Sequence, residues 1–129
     1  MSTPYTLTRL TEVRDSAPDF GLGEVQEARF ANDALATEDT GLSYHHLRPG
    51  QRPPFAHRHE KAEEVYVVLS GSGQIKVDDE VLELARLDAI RVAATATRAF
   101  QAGPEGLELL AVGPRHPKDG EIVQGWWTD

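Results

Sequence analysis

A chain of 129 residues with 40% hydrophobic and 26% charged residues lies within ordinary globular usage and is long enough to bury a core, which excludes wholesale disorder and fibrous classes. Thirteen basic against 21 acidic residues give a net charge of −8, the wrong sign for tracking a phosphate backbone, so nucleic acid is not an expected partner. No cysteine is present, which excludes a disulfide framework and a thiolate nucleophile and leaves imidazole and carboxylate as the ligands for any metal. The opening MSTPYTLTRL lacks the apolar core of a secretory signal, and no run approaches bilayer-spanning length; a cytoplasmic location without membrane contact is the expectation.

In chain order, short apolar stretches alternate with polar residues and break at Gly, Pro or Asp at intervals of roughly 8–12 residues, the pattern of an all-β barrel or sandwich. The predicted strands are 5–10, 24–30, 42–47, 64–69, 74–77, 81–84, 89–92, 97–101 and 107–112. Segment 11–20 predicts a short helix with Thr11 as its cap and Pro18 as its stop, and 32–35 adds one more turn. SGSG at 70–73, DDE at 78–80 and AGPEG at 102–106 predict tight turns between antiparallel neighbours. The last residues read as a loop-like tail, in which Trp126 and Trp127 anchor the chain by burying aromatic area on the barrel's outside or on a partner subunit.

The stretch PFAHRHEKAEEVYVVLSGSG carries the chemistry. In an extended segment His57 and His59 point to one side and Arg58 to the other. Glu60, Lys61 and Ala62 suit a bend, after which Glu64, Tyr66 and Val68 share one strand face and Val65, Val67 and Leu69 the other. Glu64 is then a carboxylate among apolar neighbours and needs a partner. Glu63 is the competing choice. His45 and His46 fall on opposite faces, and the inward one could stand as a further ligand; His116, in a Pro-rich segment, reads as exposed. Two imidazoles and one carboxylate are the ligand set of a facial triad, which leaves positions on an ion open to water or substrate.

With Pro49–Gly50, His57, His59, Glu64 and Gly71 at this spacing, the chain resembles the first conserved motif of the cupin superfamily. The second motif is matched in part. LDAIRVAATATRAFQAG at 87–103 keeps Asp88, the strand 90–92 and Phe100, but has Ala93 and Thr95 where proline and glycine are usual and Arg98 where a histidine completes the metal site. The resemblance implies an all-β, antiparallel double-stranded β-helix, a jelly-roll barrel, as one domain over 1–129. Its core barrel covers about residues 40–113, with strands in 1–39 and a tail over 114–129. It further implies a divalent metal (iron, manganese, zinc or nickel) on His57, His59 and Glu64, a small-molecule ligand and a homodimer. It does not choose among dioxygenases, isomerases and non-catalytic binders.

Arg98 leaves two arrangements open. In one, its head leans away from the ion and, with Tyr66 and Phe100 on the pocket wall, binds an anionic metabolite in a dioxygenase- or isomerase-type enzyme. In the other, Arg98 pairs with Glu64, no metal is needed, and the barrel is a binding module.

Overall fold

Along Glu64–Val77 the side chains alternate between a buried face, with Tyr66, Val68, Gly73 and Ile75, and a half-exposed one, as a strand with one face on a core requires. The computed structural model describes residues 4–128. Eight strands form one curled antiparallel sheet: β1 (Gln26–Phe30), β2 (Thr40–Leu47), β3 (Phe55–His59), β4 (Glu64–Val77), β5 (Glu80–Ala85), β6 (Ala89–Val92), β7 (Arg98–Pro114) and β8 (Gly120–Gln124). A four-residue helix, α1 (Asn32–Leu35), lies between β1 and β2, where the sequence places a turn.

β4 and β7 are long enough to serve both layers of a double-stranded β-helix. In one layer β1, β2, the later part of β7, the early part of β4 and β6 lie side by side. In the other the order is β8, β3, the early part of β7, the later part of β4 and β5. Between them sits a core of Leu47, Tyr66, Val68, Ile75, Leu84, Val92, Ala102, Leu107, Leu109 and Ala111.

The tight turns expected at 70–73 and 102–106 are instead the corners where these two strands pass from layer to layer without a break. Their pairing shifts register between Val68 and Ser70 and again between Gly71 and Gly73. Glycine is required here because the backbones nearly touch. A Cβ on Gly71, at φ 77°, would lie 2.1 Å from the carbonyl oxygen of Gly106, and one on Gly73 would lie 2.2 Å from that of Gln101. Only 78–79 is a hairpin end, with the Asp78 carboxylate accepting the Thr97 N–H at 3.0 Å.

Two expectations at the chain ends are corrected. Residues 5–10 form no strand: Leu7 is 90% exposed, and an alternating segment without a sheet neighbour has nothing to bury. A 3₁₀ turn follows at Leu10–Glu12, capped at Arg9 rather than Thr11, and a second at Ala17–Phe20 with Pro18 in its first turn. At the other end the loop-like tail contains β8, which pairs with β3 from Phe55–Gln124 to His59–Gly120. Its side chains are almost all exposed, so the period-two signal that marks a half-buried strand is missing. Trp126 and Trp127 are half-buried, with the Lys76 ammonium 4.5 Å and the Arg52 guanidinium 4.3 Å from their ring centres, and so hold the tail against the barrel. Among the described residues no helix is long and apolar enough to cross a membrane.

One strained position offers a stability test. Leu87 sits at φ 69° with its side chain 65% exposed, while its N–H holds the Val68 carbonyl at 2.8 Å. Leu87→Gly relieves the left-handed strain and keeps that bond, so the free energy of unfolding should rise by about 0.5–1 kcal/mol after the entropy of the freer unfolded chain is counted. A urea titration reads the change; a loss of stability would contradict it.

Candidate metal centre

β3 lies between β7 and β8, and its His57 stands directly opposite Arg98 of β7. Opposed residues of antiparallel strands project to the same side, so both enter the barrel, together with His59 two residues on. Arg58, of opposite parity, points outward and forms a bidentate pair with Glu121 at 3.0 Å for both contacts. From the facing layer β4 contributes Glu64 and Tyr66. Glu63, the competing carboxylate, is exposed and pairs with Arg91 at 3.3 Å.

The interior groups converge on one atom. Oε1 of Glu64 lies 3.2 Å from Nε2 of His57, 3.1 Å from Nε2 of His59, 2.7 Å from the Tyr66 hydroxyl and 2.5 Å from Nη2 of Arg98. Burial raises the Glu64 carboxyl, but the hydrogen bonds of His57, His59 and Tyr66 outweigh it and hold the group well below the usual carboxylate range. Glu64 is therefore an anion. Burial pushes the Tyr66 hydroxyl up, and the charge of Glu64 adds to this, so Tyr66 stays protonated and donates to Glu64.

Arg98 makes the ion pair of the second arrangement foreseen for it, with Glu64, instead of leaning away from the site. It is fully buried, and its guanidinium reaches Glu64, the Tyr66 hydroxyl at 3.0 Å and the carbonyls of Ala93, Ala94 and Ala96 at 3.3, 3.0 and 2.9 Å. Tyr66 is 2% exposed and stacks edge-on against Phe100 at 4.9 Å between ring centres. A cleft of about 370 Å³ reaches Glu64 and His59 and is lined further by Phe30, Leu42, Arg115 and His116; Arg98, Tyr66 and Phe100, expected on the pocket wall, do not line it.

Of the adjacent pair on β2, His45 faces inward and His46 outward, where its Nδ1 lies 3.2 Å from Glu27. His45 is hydrogen-bonded to Ser43 at 2.8 Å and edge-on to Phe30. Burial pushes its imidazole down to about 4, with His57 adding to the depression. Among the described residues the group whose ligand atoms lie within 4.8 Å of one another is His57, His59 and Glu64, without His45.

These three residues fit a divalent ion. Neighbouring ligands on an octahedral ion with bonds of about 2.1 Å lie about 3.0 Å apart. The two imidazole–carboxylate separations, 3.1 and 3.2 Å, have that spacing. Moreover, a carboxylate oxygen offers about two acceptor sites. Tyr66 and Arg98 take two of the roughly four sites on the two oxygens, so Glu64 retains capacity for an ion.

Two residues of the site carry no signal in the local sequence. Arg115 lines the cleft, donating to the Thr37 carbonyl at 2.6 Å and to Asp33 at 3.1 Å. Asp119, just ahead of β8, brings a carboxylate oxygen to 3.5 Å from Nδ1 of His59. Both lie in a segment whose Pro, Lys and Gly composition reads as a solvated loop.

The profile of the family described as "Cupin domain" matches residues 43–113. No curated protein matches the sequence. Among solved structures, a cupin protein from Bacteroides fragilis is similar at a TM-score of 0.70 and 24% identity, over 99% of this chain and 98% of that one. Oxalate decarboxylase from Bacillus subtilis is similar at a TM-score of 0.74 and 19% identity, over 94% of this chain and 33% of that one. The polyketide cyclase RemF from Streptomyces resistomycificus is similar at a TM-score of 0.72 and 18% identity, over 100% of this chain and 89% of that one. At these identities the structural likenesses show the fold alone. The profile match, which spans more than half of the chain, carries the assignment: this protein belongs to the cupin domain family.

Proposed function

We propose that the barrel holds one divalent metal ion on His57, His59 and Glu64 and binds a small anionic metabolite against it, in chemistry of the dioxygenase or isomerase kind. The observation that carries the reading is the convergence of two imidazole Nε2 atoms, at 3.1 and 3.2 Å, on a carboxylate oxygen already occupied by Tyr66 and Arg98. With a cation between them, the two imidazole lone pairs and the carboxylate would act together as ligands instead of meeting at one crowded oxygen. Such an ion would act as a Lewis acid toward an oxygen of the ligand.

The charge balance favours an anion. Arg98 already neutralises Glu64, so the protein ligands leave a divalent ion's charge uncompensated and an incoming carboxylate or phosphate completes it. Arg115, on the wall of the same cleft, adds a cation whose ion pair with the 96%-exposed side chain of Asp33 is weak and exchangeable. One similarly folded protein is named for decarboxylating oxalate, itself a small anion, which is consistent with this ligand class.

After exposure to Mn²⁺, Zn²⁺, Fe²⁺ or Ni²⁺ and removal of the excess, the protein should retain about one ion per chain by elemental analysis, and His57→Ala and His59→Ala should each lose it. A wild-type chain that retains none of the four overturns this reading. A second reading then stands on the Arg98–Glu64 contact: a metal-free binding module in which the buried carboxylate is satisfied by the guanidinium.

A further inference from the structure

We infer that Asp119 is a positioning residue of the metal centre: with an ion bound, its carboxylate holds the His59 ring with the proton on Nδ1, so that the bare Nε2 lone pair is presented to the ion. The inference rests on the metal reading above. His59 is flanked by carboxylates at both nitrogens, Glu64 Oε1 at 3.1 Å from Nε2 and Asp119 Oδ2 at 3.5 Å from Nδ1. Nδ1 is buried and makes no hydrogen bond among the described residues, so at 3.5 Å the Asp119 contact acts through charge rather than as a tight bond.

Asp119 is not free to swing away. Its side chain is 5% exposed. Oδ1 accepts the N–H groups of Glu60 and Lys61, both at 3.1 Å, and Oδ2 those of Lys61 and Ala62 at 3.2 and 2.9 Å. Gly120 closes over the ring as well: a Cβ there would lie 3.5 Å from Cε1 and 3.7 Å from Nδ1 of His59.

A neutral imidazole has one N–H to place. On Nε2, it would leave the Nδ1 lone pair against a buried anion. On Nδ1, it meets Asp119 favourably, and once an ion separates Nε2 from Glu64, 3.1 Å away, the Nε2 lone pair is turned toward that ion, the orientation that outer carboxylates impose on metal-bound histidines.

Asp119→Asn tests this. The amide keeps the size of the carboxylate, removes the negative charge beside Nδ1 of His59, and has one oxygen where Asp119 uses two to accept backbone N–H groups. In Zn²⁺-loaded protein with ¹⁵N-labelled histidine, wild-type His59 should show a protonated Nδ1 and a metal-bound Nε2, Asp119→Asn a shifted Nδ1–H signal, and His57 the same signals in both. Affinity for Zn²⁺ should fall about 10–100-fold in the variant. A residue that merely clamps the bend at 60–62 would alter stability and leave the Nδ1–H signal and affinity as they are. A Zn²⁺-loaded wild type whose His59 carries no proton on Nδ1, or an Asp119→Asn protein that binds Zn²⁺ like wild type, overturns the inference alone. A wild type that takes up no Zn²⁺ overturns the metal reading and the positioning role together. Should Asp119→Asn fail to fold, the protonation of Nδ1 in the Zn²⁺-loaded wild type decides.

Discussion

Exchanging Arg98 for methionine is expected to lower the free energy of unfolding by about 3–5 kcal/mol, the usual effect of breaking a buried charge pair, and to tighten divalent-metal binding. The opposed signs come from one side chain. Methionine refills the space of the arginine stem but satisfies neither Glu64 nor the carbonyls of Ala93, Ala94 and Ala96 that the guanidinium holds. Because Ala94 and Ala96 are half-buried and Ala93 is exposed, water can reach part of that loss, which places the change toward the smaller end of the range. A bound ion, in turn, would lose a neighbouring cation and gain a carboxylate that no longer serves the guanidinium. A unit charge at 4 Å weighs about 1 kcal/mol even in water and more inside a protein, so affinity should rise about tenfold or more. Urea unfolding and competitive Zn²⁺ titration of the same preparation read the two effects. If stability falls while metal affinity falls too, Arg98 is a support of the metal site and not its competitor.

Acidification is the second large lever, and it acts through His45. The folded barrel holds this imidazole at about 4, chiefly by burial and then by the nearby His57, below the unfolded value of about 6.5. Folding therefore keeps His45 neutral, and its contribution is complete above the unfolded value and drains away as the pH falls toward 4. Metal-free protein should lose about 3 kcal/mol by this route between pH 7 and pH 4. Glu64 is shifted in the same direction from a lower starting point, so its share persists above the ordinary carboxylate range and is lost only at more acidic pH. His45→Gln, which cannot titrate, should flatten the pH 7-to-4 slope in denaturant-unfolding curves. An unchanged slope would mean that His45 is protonated in the folded barrel as readily as in the unfolded chain.

What the sequence makes legible is what depends on neighbours within a strand. Alternation puts His57 and His59 on one face and Glu64 with Tyr66 on another, and the bend at 60–62 brings those faces together. The destination of Arg98 depends on its register with His57, more than forty positions away along the chain, and no local pattern encodes a pairing of that kind. The corners at Gly71 and Gly106 use the same residues that a hairpin would, so composition cannot tell a strand that bends from one that ends. Asp119 sits in KDGE, charged and glycine-bearing, where a solvated turn and a buried orienting carboxylate read alike.

β8 is the outer neighbour of the strand that carries His57 and His59, and this gives the far end of the chain a duty beyond closure of the fold. Proteolytic trimming upstream of Gly120 would turn that strand into a bare edge, with unpaired amides ready to recruit another molecule. Loss of order at the two imidazoles and self-association would then arrive together, from damage to a segment that carries neither of them.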